Sequence, residues 1–230
     1  MRAMVQKKSL GGVALTLPEN AFAHYKFNET SGVTAFDELS GSRDMTGSVA
    51  TMWSAFSRNG DRSIYSVDIA NFFTMTTADG NLILNNNEFS VCGWCYTPDT
   101  NGINMVSKGS LGDLGKRVFR VDNTTPSRYL VGNQVGDWAT TGYASSDLHP
   151  ISTWHHTSWV FKTNPGELLV YIDGVLVYNP TYTSTGFIQE ATQPFKTGSD
   201  FLDMGGYLNN LVLYDRALDI VEVNQVMNVT

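Results

Sequence analysis

A chain of 230 residues is the size of one large domain, and such a domain buries roughly 70–75% of its unfolded surface, enough to hold together without disulfides or metal. The composition, 42% hydrophobic and 16% charged, is that of a packed globule, and 21 glycines among many Asn, Ser and Thr point to short strands joined by turns. The formal net charge of −7 argues against a nucleic-acid backbone as main partner, because Lys and Arg would have to cluster to overcome it.

They cluster only at the start, where Arg2, Lys7 and Lys8 have no acid nearby. Residues 1–20 therefore read as a basic arm, ending in the extended piece Val13–Leu17 before Pro18, and residues 21–230 as the domain. A short basic arm on an acidic body suits docking to a partner. The opening residues hold no apolar run long enough for an export signal, so synthesis as a soluble cytoplasmic protein is expected. No later stretch approaches the ~20 apolar residues of a membrane span.

From Ala21 the chain alternates strand and turn. Ala23, Tyr25 and Phe27 alternate with His24 and Lys26, the period-2 pattern of a half-buried strand. A polar stretch follows from Asn28 to Gly47. Strands are then predicted at Ser63–Ile69, Phe72–Thr76, Phe89–Thr97, Asn104–Ser107, Val118–Val121, Tyr129–Val131, His155–Phe161, Leu168–Ile172, Val175–Tyr178 and Asn210–Tyr214. Between two apolar runs stands Asp173-Gly174, the dipeptide of a type I′ hairpin turn. One short helix is predicted near the end, capped by Asp219 with Glu222 at the capping-box position and with Ile220, Val223 and Met227 on one face. Many short strands, one helix and no βαβ rhythm make an all-β, two-sheet antiparallel sandwich.

Cys92 and Cys95 lie three apart in a predicted strand, so they face opposite ways and pair poorly; no second ligand pair at zinc spacing exists, and two buried thiols are expected. His155 and His156 leave opposite faces of one strand and cannot hold one ion; one ring should support the core while the other is surface or hydrogen-bonded. Trp94, Trp154 and Trp159 on strands read as core. Trp53, Trp138 and Tyr143 fall in polar connections, and the segment Gly136–Tyr143 sets two aromatics beside Asp137, with Asp147 and His149 following. An aromatic face with a carboxylate is the equipment of a sugar site, so Asp137, Trp138, Tyr143 and His149 are the candidate ligand-binding residues; a loop tryptophan covering the core is the competing reading.

Several segments, in order, resemble the LamG-like jelly-roll domains of the concanavalin A-like lectin/glucanase superfamily. The opening His24-Tyr-Lys-Phe-Asn-Glu-Thr-Ser-Gly32 with Asp37 is similar to that family's Tyr-x-Phe-x-Glu-x-Ser-Gly…Asp run. Phe89-Ser-Val-Cys-Gly-Trp-Cys-Tyr-Thr-Pro98, Met105–Gly109, Trp154-His-His156, Leu168–Val177 and Gly206–Leu218 continue the likeness. The resemblance implies a jelly roll from about residue 22 to the end. Some relatives hold calcium between the opening Asp and a closing acid, which makes Asp37 and Asn209 the metal candidates. Here asparagines, Asn209 and Asn210, stand in place of the closing acids, and a hard cation wants several charged oxygens, so no cofactor is expected and calcium is the one ion the resemblance raises. The alternative is that Asp37 and Asn209 hydrogen-bond and fix the two chain ends.

Catalysis is not expected. Glycanases of this fold carry a Glu-x-Asp-x-Glu strand, which is lacking, as are a Gly-x-Ser-x-Gly elbow, a phosphate loop and a His-Glu-x-x-His helix. The expected role is a non-catalytic binding and structural module. It would be a virion surface protein of a bacteriophage, decorating the capsid or tail, anchored to viral capsid or tail proteins through the arm, homo-oligomeric, and touching host glycans. The alternative is a secreted carbohydrate-binding or adhesion domain of a larger bacterial protein, hence extracellular, which the sequons at Asn28, Asn123 and Asn228 would fit.

Overall fold

A computed structural model describes residues 16–66, 71–84, 88–98, 103–108, 117–122, 128–130, 152–163, 166–178, 181–182, 194–198 and 205–230. In chain order the strands are β1 Ala23–Tyr25, β2 Thr34–Ala35, β3 Met45–Gly47, β4 Trp53–Ser54, β5 Ser63–Ser66, β6 Phe72–Thr74, β7 Phe89–Tyr96 and β8 Ile103–Lys108. They continue as β9 Arg117–Asp122, β10 Arg128–Leu130, β11 Trp154–Thr163, β12 Gly166–Ile172, β13 Val175–Tyr178, β14 Thr181–Tyr182, β15 Phe195–Gly198 and β16 Gly206–Tyr214. Two α-helices, α1 Thr77–Leu84 and α2 Ile220–Val229, and one turn of 3₁₀ helix at Ala50–Met52 complete the described elements.

Pairing is antiparallel throughout the described ladders. One sheet runs β13-β12-β11-β7-β16-β5-β4, with β1 on β16 and β14 on β12; the other runs β10-β9-β8-β15-β6-β3-β2. Period-2 alternation divides β7 between two cores. Phe89, Val91 and Cys95 enter the large core between the sheets, where Trp159 and Phe161 of β11 meet them. Phe89 and Phe161 sit opposite each other with rings stacked at 5.2 Å. Cys92 points the other way, into a second core where Val160, Leu169, Val212 and Tyr214 on the outer face are covered by Val223 and Val226 of α2. The expected sandwich is correct, and the helix seals the outside of its larger sheet.

The hairpin at Asp173-Gly174 has both residues at positive φ, 49° and 77°, as its turn type requires. The capping box of α2 is present: the Asp219 side chain accepts from Glu222 N–H and the Glu222 carboxylate accepts from Asp219 N–H. Its buried face, however, is Val223 and Val226; Ile220 is exposed, because the helix rests on the sheet one position further round.

Three other expectations need correction. A second described helix, α1, was hidden because Asn81 and the preceding Thr, Ala, Asp and Gly give no apolar stripe, although Thr76 caps it and Asp79 N–H donates to the Thr76 hydroxyl. Gly80 lets it lie against β15, since a Cβ there would meet Phe195 Cβ at 2.7 Å. The polar stretch 28–47 contains β2 and β3, too short to show alternation. His24 does leave the outer face, but it is buried, because residues 16–21 pack over it: Leu17 and Ala21 join the second core, Thr16 C=O accepts from Gln225, and Glu19 C=O accepts from Arg216. No described helix is long and apolar enough to cross a membrane.

Candidate functional site

Where β16 changes partner, from β5 at residues 206–208 to β1 at 211–213, its ladder bulges at Asn209–Asn210. Asn210 takes φ +52°, a left-handed conformation that asparagine tolerates better than most side chains. The buried Asn209 amide donates to Lys26 C=O at the end of β1 and to Arg62 C=O just before β5, stitching the two strand ends together. Asn210 donates to Asn209 Oδ1, and its own Oδ1 lies 3.3 Å from His24 Nε2. On the far side of His24, Asp37 accepts from the backbone N–H of His24 and Leu39 and from the Ser40 hydroxyl.

Asp37 and Asn209 thus belong to one network, joined through His24 and Asn210 and not bonded directly. Calcium would need oxygens converging on a point. The Asp37 carboxylate is instead surrounded by N–H and O–H donors, and Asn209 presents its NH2 to carbonyls, so these residues do not fit the ion. Among the described residues no group of three or more His, Cys, Asp or Glu could hold a metal. The other candidate ligand residues, Asp137, Trp138, Tyr143 and His149, lie outside the described residues, as do residues 1–15 of the arm.

Both thiols are fully buried on opposite faces, and burial pushes the Cys92 thiol up to about 12 and Cys95 upward as well. Neither histidine of the pair is a surface residue. His155 Nδ1 is 2.7 Å from Asp173 Oδ2, and the same carboxylate accepts from His156 N–H, so the hairpin aspartate pins β11 as well as its own turn. His156 is wholly buried, edge-on to Trp94, and burial pushes it down to about 3, with Asp173 raising it and Arg58 lowering it further.

Of the three strand tryptophans only Trp159 is core; Trp94 and Trp154 are half-buried on the outer face of the larger sheet. Trp53 folds back against the core, its ring 5.0 Å from Phe73 and its Nε1 donating to Gly32 C=O.

The outer face carries a feature that sequence reading missed. Trp154, Tyr96, Tyr207 and Tyr65 are register partners on four neighbouring strands, β11, β7, β16 and β5. They form one row of rings, about 14 Å long at the normal strand spacing. The loop between β4 and β5 lays Phe56 on this row: its centroid is 4.7 Å from Tyr96, 4.7 Å from Tyr207 and 5.7 Å from Trp154, the last at an interplanar angle of 21°. Tyr65 and Tyr207 stack at 4.5 Å.

Phe56 is held at both backbone groups, its N–H donating to the Ser54 hydroxyl and its C=O accepting from the Ser63 hydroxyl, yet 41% of it stays exposed. Two residues on, Arg58 places its guanidinium 3.6 Å from the Trp94 ring centre and donates to Thr230 C=O, while Trp94 Nε1 donates to the Thr230 hydroxyl. The result is a rigid, partly exposed ring platform bordered by phenols. Burial raises the Tyr207 phenol first, and the neighbouring Tyr65 and Tyr96 add to it. Only the pairing register could have revealed the row; in sequence its members are scattered and Phe56 stands in a polar connection.

A family model for the concanavalin A-like lectin/glucanases superfamily matches residues 73–224. No curated protein sequence matches the chain. Among solved structures, the chain is similar to Trypanosoma rangeli sialidase in complex with 2,3-difluorosialic acid, at 16% identity and a TM-score of 0.64, covering 94% of this chain and 34% of that one. It is also similar to the binding domain of botulinum neurotoxin DC in complex with rat synaptotagmin II, at 10% identity and a TM-score of 0.63, covering 93% and 52%. A third likeness is to botulinum neurotoxin type C, from work on its dependence on two ganglioside molecules for cell entry, at 14% identity and a TM-score of 0.61, covering 91% and 51%. This chain spans about a third of the sialidase and about half of each toxin chain.

Proposed function

The chain belongs to the concanavalin A-like lectin/glucanases superfamily, and from that premise we propose that it is a non-catalytic module that binds surface glycans. The observation that carries this reading is the aromatic row with Phe56 fixed upon it, a partly exposed apolar platform of the kind that receives the C–H face of a sugar ring. Three of the described carboxylates support the non-catalytic reading. Asp37 caps backbone N–H groups, Asp173 pins β11, and Glu222 serves the helix cap and Arg216. Each of these three is committed to hydrogen bonds that hold the fold, whereas glycoside hydrolysis needs a pair of carboxylates free to face the sugar. Similar sandwiches in a sialidase bound to a sialic acid derivative and in a toxin that depends on gangliosides are consistent with this.

The finer reading is a virion surface role, on a bacteriophage capsid or tail. The basic arm would hold the domain to a capsid or tail partner, and copies would assemble as a homo-oligomer made in the host cytoplasm, where two buried free thiols stay reduced. One observation favours a second reading, a secreted carbohydrate-binding or adhesion domain of a larger protein: in each of the three structural neighbours this sandwich is one part of a longer chain. A glycan array probed with the full chain, run beside a reducing-sugar release assay, tests the main reading. Binding without turnover is expected; turnover, or no binding to any glycan, refutes it. Antibody labelling of purified phage particles separates the virion role from the secreted one.

A further inference from the structure

The outer face also constrains which glycan can sit there. We propose that the aromatic row binds a neutral oligosaccharide, stacked on Phe56 and on the Tyr65–Tyr207 pair, and discriminates against sialylated or uronic chains. This deepens the glycan-binding reading and rests on it.

Three observations carry the step. First, the interactions that build the row are ring on ring: Phe56 with Tyr96, Trp154 and Tyr207, and Tyr207 with Tyr65 and Tyr96. Its polar equipment is neutral as well. The phenols of Tyr65, Tyr96 and Tyr207 can each donate or accept with a sugar hydroxyl.

Second, the cation nearest to Phe56 in the sequence is already engaged. Arg58 lies flat on Trp94, one step along β7 from the row on the same face, and donates to Thr230 C=O. A carboxylated sugar calls for a guanidinium or ammonium aimed at it, usually in bidentate fashion. Here the positive charge is turned toward the end of α2. The net charge of −7 repels an anionic chain further.

Third, the length suits a chain of sugars. A row about 14 Å long exceeds one pyranose ring. Phe56 is also preorganised, with both backbone groups hydrogen-bonded and its ring backed by three others, so little freedom remains to be lost on binding.

The test is isothermal titration of the full chain with a neutral oligosaccharide, such as a galactose- or glucose-terminated trisaccharide, and with the same glycan capped by sialic acid. Two variants, Phe56→Leu and Tyr65→Ala, are measured in parallel, each checked by circular dichroism and melting temperature. The neutral glycan is expected to bind at least tenfold more tightly than its sialylated form, with little change on raising the salt and with quenching of tryptophan emission from Trp154. Phe56→Leu should weaken binding at least tenfold and Tyr65→Ala at least threefold, with melting retained. Equal or tighter binding of the sialylated glycan overturns the inference, as does neutral binding that survives both substitutions; in either case the chain still binds glycans. If no glycan binds at all, the functional reading falls with it.

Discussion

Acid should destabilise this protein through His156 once the pH falls below the ordinary histidine range. The ring is wholly buried beside Trp94, and burial, with help from Arg58, depresses its pKa to about 3 from the ordinary 6.5. The unfolded chain therefore binds a proton over a range in which the native chain refuses it, so unfolding free energy falls as pH falls from 6.5 toward 3. At about 1.4 kcal/mol per pH unit, lowering the pH from 7 to 5 removes about 2 kcal/mol through this residue alone. For a domain of this size that moves the urea midpoint down by roughly 1 M. His24, also lowered by burial, adds to the slope in the same direction. The assay is urea unfolding followed by tryptophan fluorescence at several pH values between 7 and 5, on wild type and on His156→Leu. Whatever packing the substitution costs shifts the whole curve, whereas the titration appears in its slope. The variant should be flatter by about 2 kcal/mol over this interval. Parallel curves would refute the argument.

Asn209→Asp turns a carboxylate oxygen toward Lys26 C=O and Arg62 C=O in place of an N–H donor; a loss of about 2–4 kcal/mol at neutral pH is expected by urea unfolding. Gly80→Ala, ordinarily favourable in a helix, should cost about 1–3 kcal/mol, because the added Cβ meets Phe195 Cβ at 2.7 Å and its backbone N at 3.1 Å. Cys92 and Cys95 should resist Ellman's reagent in the native protein and both react once it is unfolded, since each is fully buried and its thiol is shifted upward. Prompt reaction of either thiol without denaturant would contradict the two-core arrangement.

Much of the fold was legible because its signals are local. Alternation along Phe89–Tyr96 and along Trp154–Thr163 marks strands; Asp173-Gly174 supplies two residues able to take positive φ; Asp219 and Glu222 satisfy the first N–H groups of α2 from within four residues. Each depends on neighbours in sequence, so each survives without knowledge of what packs where. Where local signals are weak, expectation failed. β2 and β4 have two residues each, too few for a period, and α1 opens with Thr-Ala-Asp-Gly-Asn, which gives no apolar stripe, while its Gly80 lies close against β15.

The candidate site was the least legible part, for a physical reason. Alternation says that Trp94 and Tyr96 share a face, but not whether that face looks toward the second sheet or away from it. Pairing register decides this, and it is set by contacts between residues 58–142 positions apart, as with Tyr96 on Trp154 and Tyr65 on Tyr207. The closing motif shows the same division. Its sequence identifies the last long strand, yet only the meeting of β1, β5 and β16 at one bulge turns Asn209 from a weakened metal ligand into a stitch between strand ends. Sequence alone determined the elements and the sandwich, since side-chain periodicity and turn chemistry act over a few residues; tertiary structure decided which rings meet and which polar groups are buried, since those depend on segments that become neighbours only when the sheets close.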